Sequence, residues 1–158
     1  MRASDQDIYQ GLFLINARKQ LDDLHYLKEL SFETGTSKNS FIININNDET
    51  LGVYLKYTKK NTSPWTFSFK YEHQEEIDIL KEICSDVLIG FVCGLDGICL
   101  IKYRNFKEIL DDYFEESEAV SIRRKPGGNY WLKGRDGKLE KSIPANNIGK
   151  LLIDSLNI

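Results

Sequence analysis

Residues 119–143 gather seven cations, Arg123, Arg124, Lys125, Lys133, Arg135, Lys138 and Lys141, against the two carboxylates Asp136 and Glu140, with Tyr130 and Trp131 interleaved. Cations that neutralise phosphates and rings on which bases stack are the components of a nucleic-acid-binding ribbon. At the tip formed by Pro126, Gly127 and Gly128, the missing side chains would let backbone come close to a phosphate. The same pattern also describes a solvated antiparallel meander whose Lys and Arg guard its edges against aggregation. The acids just before it, Glu108, Asp111, Asp112, Glu115, Glu116 and Glu118, could dock on the ribbon in cis or face a basic protein partner.

A second set of reactive types lies in 51–71. Leu51, Val53, Leu55 and Tyr57 alternate with Tyr54 and Lys56, and Trp65, Phe67, Phe69 and Tyr71 alternate with Thr66, Ser68 and Lys70. Period-two alternation on both sides of the polar breaker 59–64 predicts two strands forming a hairpin, one face apolar and one polar. The lysine-bearing face reads equally as a reaction centre, a binding surface or a solvated face whose lysine stems cover their neighbours. Trp65, directly after Pro64, reads as a core anchor in preference to a base-stacking ring.

These sets must be carried by a recognisable series of elements. Ser4 and Asp7 form a capping-box pattern with Asp in place of Glu, and Ile8, Leu12, Ile15, Leu24 and Leu27 recur at helical spacing, predicting a helix over 5–30. A polar loop around Gly35, a strand over 41–45 and a turn over 46–50 lead into the hairpin. An amphipathic helix over 72–84 follows, with acids at 72, 75, 76, 78 and 82. The near-continuous apolar run 86–93 predicts a strand buried on both faces, turned by Gly94-Leu95-Asp96-Gly97 into a strand over 98–103, with a short helix over 106–113. Strands over 119–125, 129–133 and 138–143 and a last helix, capped by Asn146 or Asn147 and running to about 156, complete an α/β (α+β) arrangement. We read 1–158 as one domain, with a core over 1–93 and a β-rich extension over 94–158.

Composition narrows the class. A net charge of −3 and a pI near 5.5 exclude coating of nucleic acid through overall basicity, though not a local basic patch. Three cysteines, Cys84, Cys93 and Cys99, without paired spacing read as small core residues in a reducing, cytoplasmic setting. His25 and His73 sit among helical residues and read as packing or capping groups, and no zinc spacing is present. No phosphate-loop, dinucleotide or hydrolase-elbow signature occurs, and no apolar run approaches the roughly 20 residues that cross a bilayer, so no membrane partner is expected.

Over 5–93 the order α-β-β-β-α-β resembles the core of the PD-(D/E)xK, or restriction-endonuclease-like, superfamily. The resemblance implies an acid near the start of the second core strand and, on the third, Glu or Asp, any residue, then Lys. Here Asp48 and Glu49 precede the second strand, and the third carries Ser68-Phe69-Lys70. The lysine is in place and the carboxylate is a serine, whose neutral hydroxyl is a poor ligand for a hard cation. On this resemblance an active enzyme would hold Mg2+ with Asp48 or Glu49 and with Glu72 or Glu76 as relocated acid, and Lys70, with Lys56, would serve the attacking water.

Three functional expectations follow. The first is a nucleic-acid-associated binding module with a nuclease-like fold and a degenerate metal site, contacting DNA or RNA through Arg123, Arg124, Lys125, Tyr130, Lys133, Arg135 and Lys138. The second is a protein-binding inhibitor or accessory subunit that uses its acidic helices, as compact acidic proteins do in phage–host or toxin–immunity conflicts. The third is the active metal-dependent nuclease.

Overall fold

In the computed structural model, which describes residues 4–23, 31–45, 49–113 and 116–155, the strands divide between two sheets of an α+β fold. The larger sheet contains β1 (Ser31–Thr34), β2 (Ser40–Ile45), β3 (Glu49–Thr58), β5 (Asp86–Cys93) and β6 (Gly97–Lys102) in the order β1-β2-β3-β5-β6. The smaller contains β4 (Trp65–Lys70), β7 (Ser117–Arg123) and β8 (Trp131–Lys133) in the order β4-β7-β8. Helices α1 (Asp5–Asp23) and α4 (Ile148–Ser155) cover one face of the large sheet. The other face packs on α2 (Tyr71–Ile83), α3 (Tyr103–Ile109) and the inner face of the small sheet.

The large sheet is therefore buried on both sides, and its central strands show it. All of β5 after Asp86 is buried, which accounts for the unbroken apolar run, because both faces of that strand lie in cores. Strand β3 pairs antiparallel with β2 and parallel with β5, Lys56 standing opposite Phe91. The β5–β6 hairpin turns through Gly94 (φ 55°) and Gly97 (φ 153°) as its sequence requires. Helix α2 runs back along β3, and its approach depends on Gly52, where a Cβ would lie 2.6 Å from Leu80 Cγ.

The N-terminal cap forms as the sequence indicates. Asp7 Oδ2 accepts from the Ser4 backbone N–H (2.9 Å) and from the Ser4 hydroxyl (2.8 Å), while the Asp7 N–H donates to Ser4 Oγ at 3.2 Å. These donors lower the Asp7 pKa.

Four expectations are corrected. The buried face of α1 is Phe13, Ala17 and Leu21, at i, i+4 and i+8, while Ile8 and Ile15 are exposed; the helix is apolar on two sides and packing on the sheet selects one. The two runs flanking 59–64 are not hairpin partners, since β3 pairs with β2 and β5 while β4 pairs with β7. Strand β3 is buried through its middle and needs neighbours on both edges, whereas β4 alternates buried and exposed and suits a half-open sheet. Residues 138–143 form no strand; the isolated bridges Lys133–Lys138 and Tyr130–Ile143 replace it. Residues 31–34, expected outside any strand, pair with β2 as β1. His25, Asp48, Glu115, the predicted helix over 24–30, the turn at 46–48 and the helix end at 156 lie outside the described residues.

All three cysteines are free and buried, and burial pushes the Cys93 thiol up to about 12 and Cys99 well above its ordinary value, so they serve as small core groups. Among the described residues no helix is long and apolar enough to cross a membrane.

Candidate nucleic-acid interface

The lysines at 56 and 70, which the hairpin reading joined on one face, occupy different environments. Lys56 is half-buried between the sheets, its Nζ 3.3 Å from His73 Nδ1 and 5.3 Å from the Phe69 ring centroid. Burial lowers its pKa, Glu76 opposes that shift and Lys70 adds to it. Beside it the fully buried Tyr54 donates its hydroxyl to Glu76 Oε2 (2.8 Å) and accepts from Asn39 Nδ2 (3.1 Å). His73 Nδ1 accepts the Lys70 backbone N–H at 3.1 Å, capping α2 and leaving the ring proton on Nε2. Burial first, then Lys56, pulls the His73 pKa below 6.5 against the pull of Glu76 and Glu72.

This network engages one of the residues that the nuclease resemblance made candidate ligands and leaves the other described ones apart. Glu76 is held by Tyr54. Glu72 is exposed at the start of α2, beside Lys70, Glu116 and Ser117. Glu49 opens β3, seven residues before Lys56 and hence about 23 Å away along an extended strand. Its end of β3 meets the far end of α2, where Ser85 N–H donates to the Thr50 carbonyl at 2.8 Å. Glu49 and Glu72 lie at opposite ends of α2, and among the described residues no group of three or more His, Cys, Asp or Glu is placed to hold a metal ion.

The small sheet brings together residues that the sequence holds apart. Its inner face is apolar: Trp65, Phe67 and Phe69 of β4, Val120 and Ile122 of β7, and Leu132 of β8 are buried. The strand period then turns the alternate residues outward. The register sets Thr66 beside Ser121 and Lys133, Arg123 beside Trp131, Ser68 beside Ala119, and Lys70 beside Ser117. No carboxylate lies among these nine outward positions. At the Lys70 end Glu72 and Glu116 border a recess.

Within the basic segment the structure sorts surface cations from structural ones. Arg123, Lys125, Lys133, Arg135 and Lys138 are exposed, and among the described residues Arg123, Lys125 and Lys133 make no ion pair. Arg124 is turned away from the open face. Its Nη1 meets Asp96 Oδ2 at 2.9 Å, its Nε donates to the Gly128 carbonyl at 2.7 Å, and its guanidinium lies 5.1 Å from the Tyr130 ring centroid. Tyr130, expected to stack on bases, is fully buried and donates to the same Asp96 oxygen at 2.9 Å. Together these three residues fasten the turn of the large sheet's β5–β6 hairpin to the β7–β8 turn of the small sheet. Asp112 of the acidic run pairs with Lys107 at 3.0 Å and Glu118 turns into the core, so these two acids are drawn away from the ribbon.

The aromatic that the basic segment offers to solvent is Trp131, which is 55% exposed. Parity was the available signal, because an inward Leu132 requires Trp131 and Lys133 to point out and Tyr130 to point in. Beside Trp131 lies a cleft of about 450 Å³ lined by Ser63, Arg123, Arg124, Lys125, Gly128, Asn129 and Trp131.

No protein-family model, curated protein or solved structure matches this chain. The arrangement itself offers cations, hydroxyls and one exposed indole on an open sheet, which can neutralise phosphates and stack a base.

Proposed function

We propose that this chain is a nucleic-acid-binding module that uses the open face of its three-stranded sheet and does not cleave. One observation carries the reading: Lys70, Arg123, Lys133 and Trp131 share a face with Thr66, Ser68, Ser117 and Ser121, and no carboxylate interrupts it. Such a face suits a polyanion although the whole chain is acidic. Catalysis is left out because Glu49 stands apart from Glu72 and Glu76, and Glu76 is engaged by Tyr54.

The test is fluorescence anisotropy with labelled DNA and RNA oligonucleotides across a salt series. Three or four phosphate contacts predict that log K falls against log salt with a slope of about −2 to −3. Arg123→Glu should abolish binding at moderate salt. An absence of measurable binding to any single- or double-stranded nucleic acid at low salt would refute the proposal.

A second reading rests on α2, whose outward stripe places exposed Ile79 and Ile83 among Glu72, Glu75 and Glu82. Apolar anchors ringed by carboxylates suit a basic protein partner. Under that reading Glu75→Lys with Glu82→Lys would remove the partner and leave oligonucleotide affinity unchanged.

A further inference from the structure

We infer that the ligand of this face is a single strand, anchored by one unpaired base stacked on Trp131 with its flanking phosphates on Arg123 and Lys125. The inference rests on the nucleic-acid reading and adds the strand class and the anchor. Of the chain's two tryptophans, Trp65 is 1% exposed and Trp131 55% exposed, so one indole is in the core and the other is offered to solvent beside Arg123, its register partner. An indole face takes a base only when that base has left its own stack, which single strands permit and an intact duplex does not. The outward face is a sheet surface, without the helix or long two-stranded ribbon that enters a major groove; β8 has three residues.

The anchor is built in advance of its ligand. The cleft of about 450 Å³ beside Trp131 falls within the size range of small-ligand sites. Its walls are fixed by Arg124, whose N–H donates to Ser63 Oγ at 3.0 Å while its guanidinium is held by Asp96 and the Gly128 carbonyl. Arg124 is thus a positioning residue, and the exposed cations Arg123 and Lys125 are left for phosphate. Rigid walls of this kind reduce the ordering cost of binding. From Arg123 the face runs about 20 Å along β7 to Ser117, where Glu72 and Glu116 end it by repelling phosphate. A footprint of a few nucleotides follows.

The experiment uses the full chain with ten-nucleotide oligo(dT) and oligo(U) and a blunt duplex of matching length, read by tryptophan emission and anisotropy. Either single strand should quench the exposed indole and bind at least about tenfold tighter than the duplex, and the stronger of the two arms assigns DNA or RNA. Trp131→Ala should weaken single-strand binding by roughly 5- to 150-fold, with Trp131→Phe recovering much of it. The blue emission of the buried Trp65 verifies that the variant is folded, and quenching of the unmodified chain is a readout that does not depend on any variant. Equal affinity for duplex and single strand, or a folded Trp131→Ala of unchanged affinity, overturns the inference while the binding function stands. Binding to neither class overturns both.

Discussion

Removing Asp96 should loosen the joint between the two sheets. Its Oδ2 accepts from Arg124 Nη1 and from the Tyr130 hydroxyl, both at 2.9 Å, with side-chain exposures of 16% for Arg124 and 27% for Asp96. In Asp96→Ala the Tyr130 hydroxyl is left in the core without its acceptor, at about 1–3 kcal/mol. The Arg124 charge also loses its partner; a buried pair so broken costs about 3–5 kcal/mol, and partial exposure reduces that share to about 1–2 kcal/mol. The sum is about 2–5 kcal/mol, equivalent to roughly 4–20 °C in Tm for a chain of this size. Urea unfolding followed by Trp65 emission measures it, because Trp65 lies 6.2 Å from the Tyr130 ring and reports on this joint. The midpoint should fall with the slope m unchanged. A double-mutant cycle with Arg124→Met should show a coupling above about 1 kcal/mol. A loss below 1 kcal/mol together with additive single variants would refute the staple, and with it the fixed walls of the Trp131 cleft.

Other outcomes follow from the interior and the open face. His73 binds its proton more weakly when folded than the ordinary 6.5, so its contribution to stability is complete above that value and declines as pH falls through it toward the folded pKa. Burial first, then Lys56 and Lys70, enforces this shift and Glu76 and Glu72 oppose it, so the difference in urea midpoint between the chain and His73→Gln should shrink from pH 8 to pH 5; a difference that grows on acidification refutes it. Gly52→Ala should cost about 1–3 kcal/mol by driving a Cβ against Leu80, and Leu80→Ala in the same chain should relieve part of that overpacking, as denaturation of the single and double variants would show. Ser68→Asp places a carboxylate between Lys70 and Thr66 on the outward face, so oligonucleotide affinity should fall several-fold and no Mg2+-dependent cleavage should appear; cleavage would revive the nuclease reading.

Much of the architecture was legible because it is local. The Ser4–Asp7 cap, the twofold alternation of 65–70 and the Gly94–Gly97 turn each depend on residues within a few positions of one another. The doubly buried run 86–93 announces a central strand for the same reason. At the site, parity alone separates Trp131 from Tyr130 once Leu132 is taken as inward.

The sequence by itself thus determined most of the strands and helices, their turns, and which residues of each strand share a side, but not β1 or the absence of a strand over 138–143. Tertiary structure alone decided partnership. An alternating strand fits the edge of almost any other, so the choice of β7 for β4, and of β5 for β3 through the α2 crossover, is made by the summed burial of two cores. That choice brought Thr66, Ser68 and Lys70 beside Ser117, Ser121, Arg123, Trp131 and Lys133. It sent Lys56 to His73 beneath the small sheet and drew Arg124 and Tyr130 onto Asp96. Pairings across 35 to 57 residues leave no periodic trace in the chain, because their energy resides in contacts that exist only after folding.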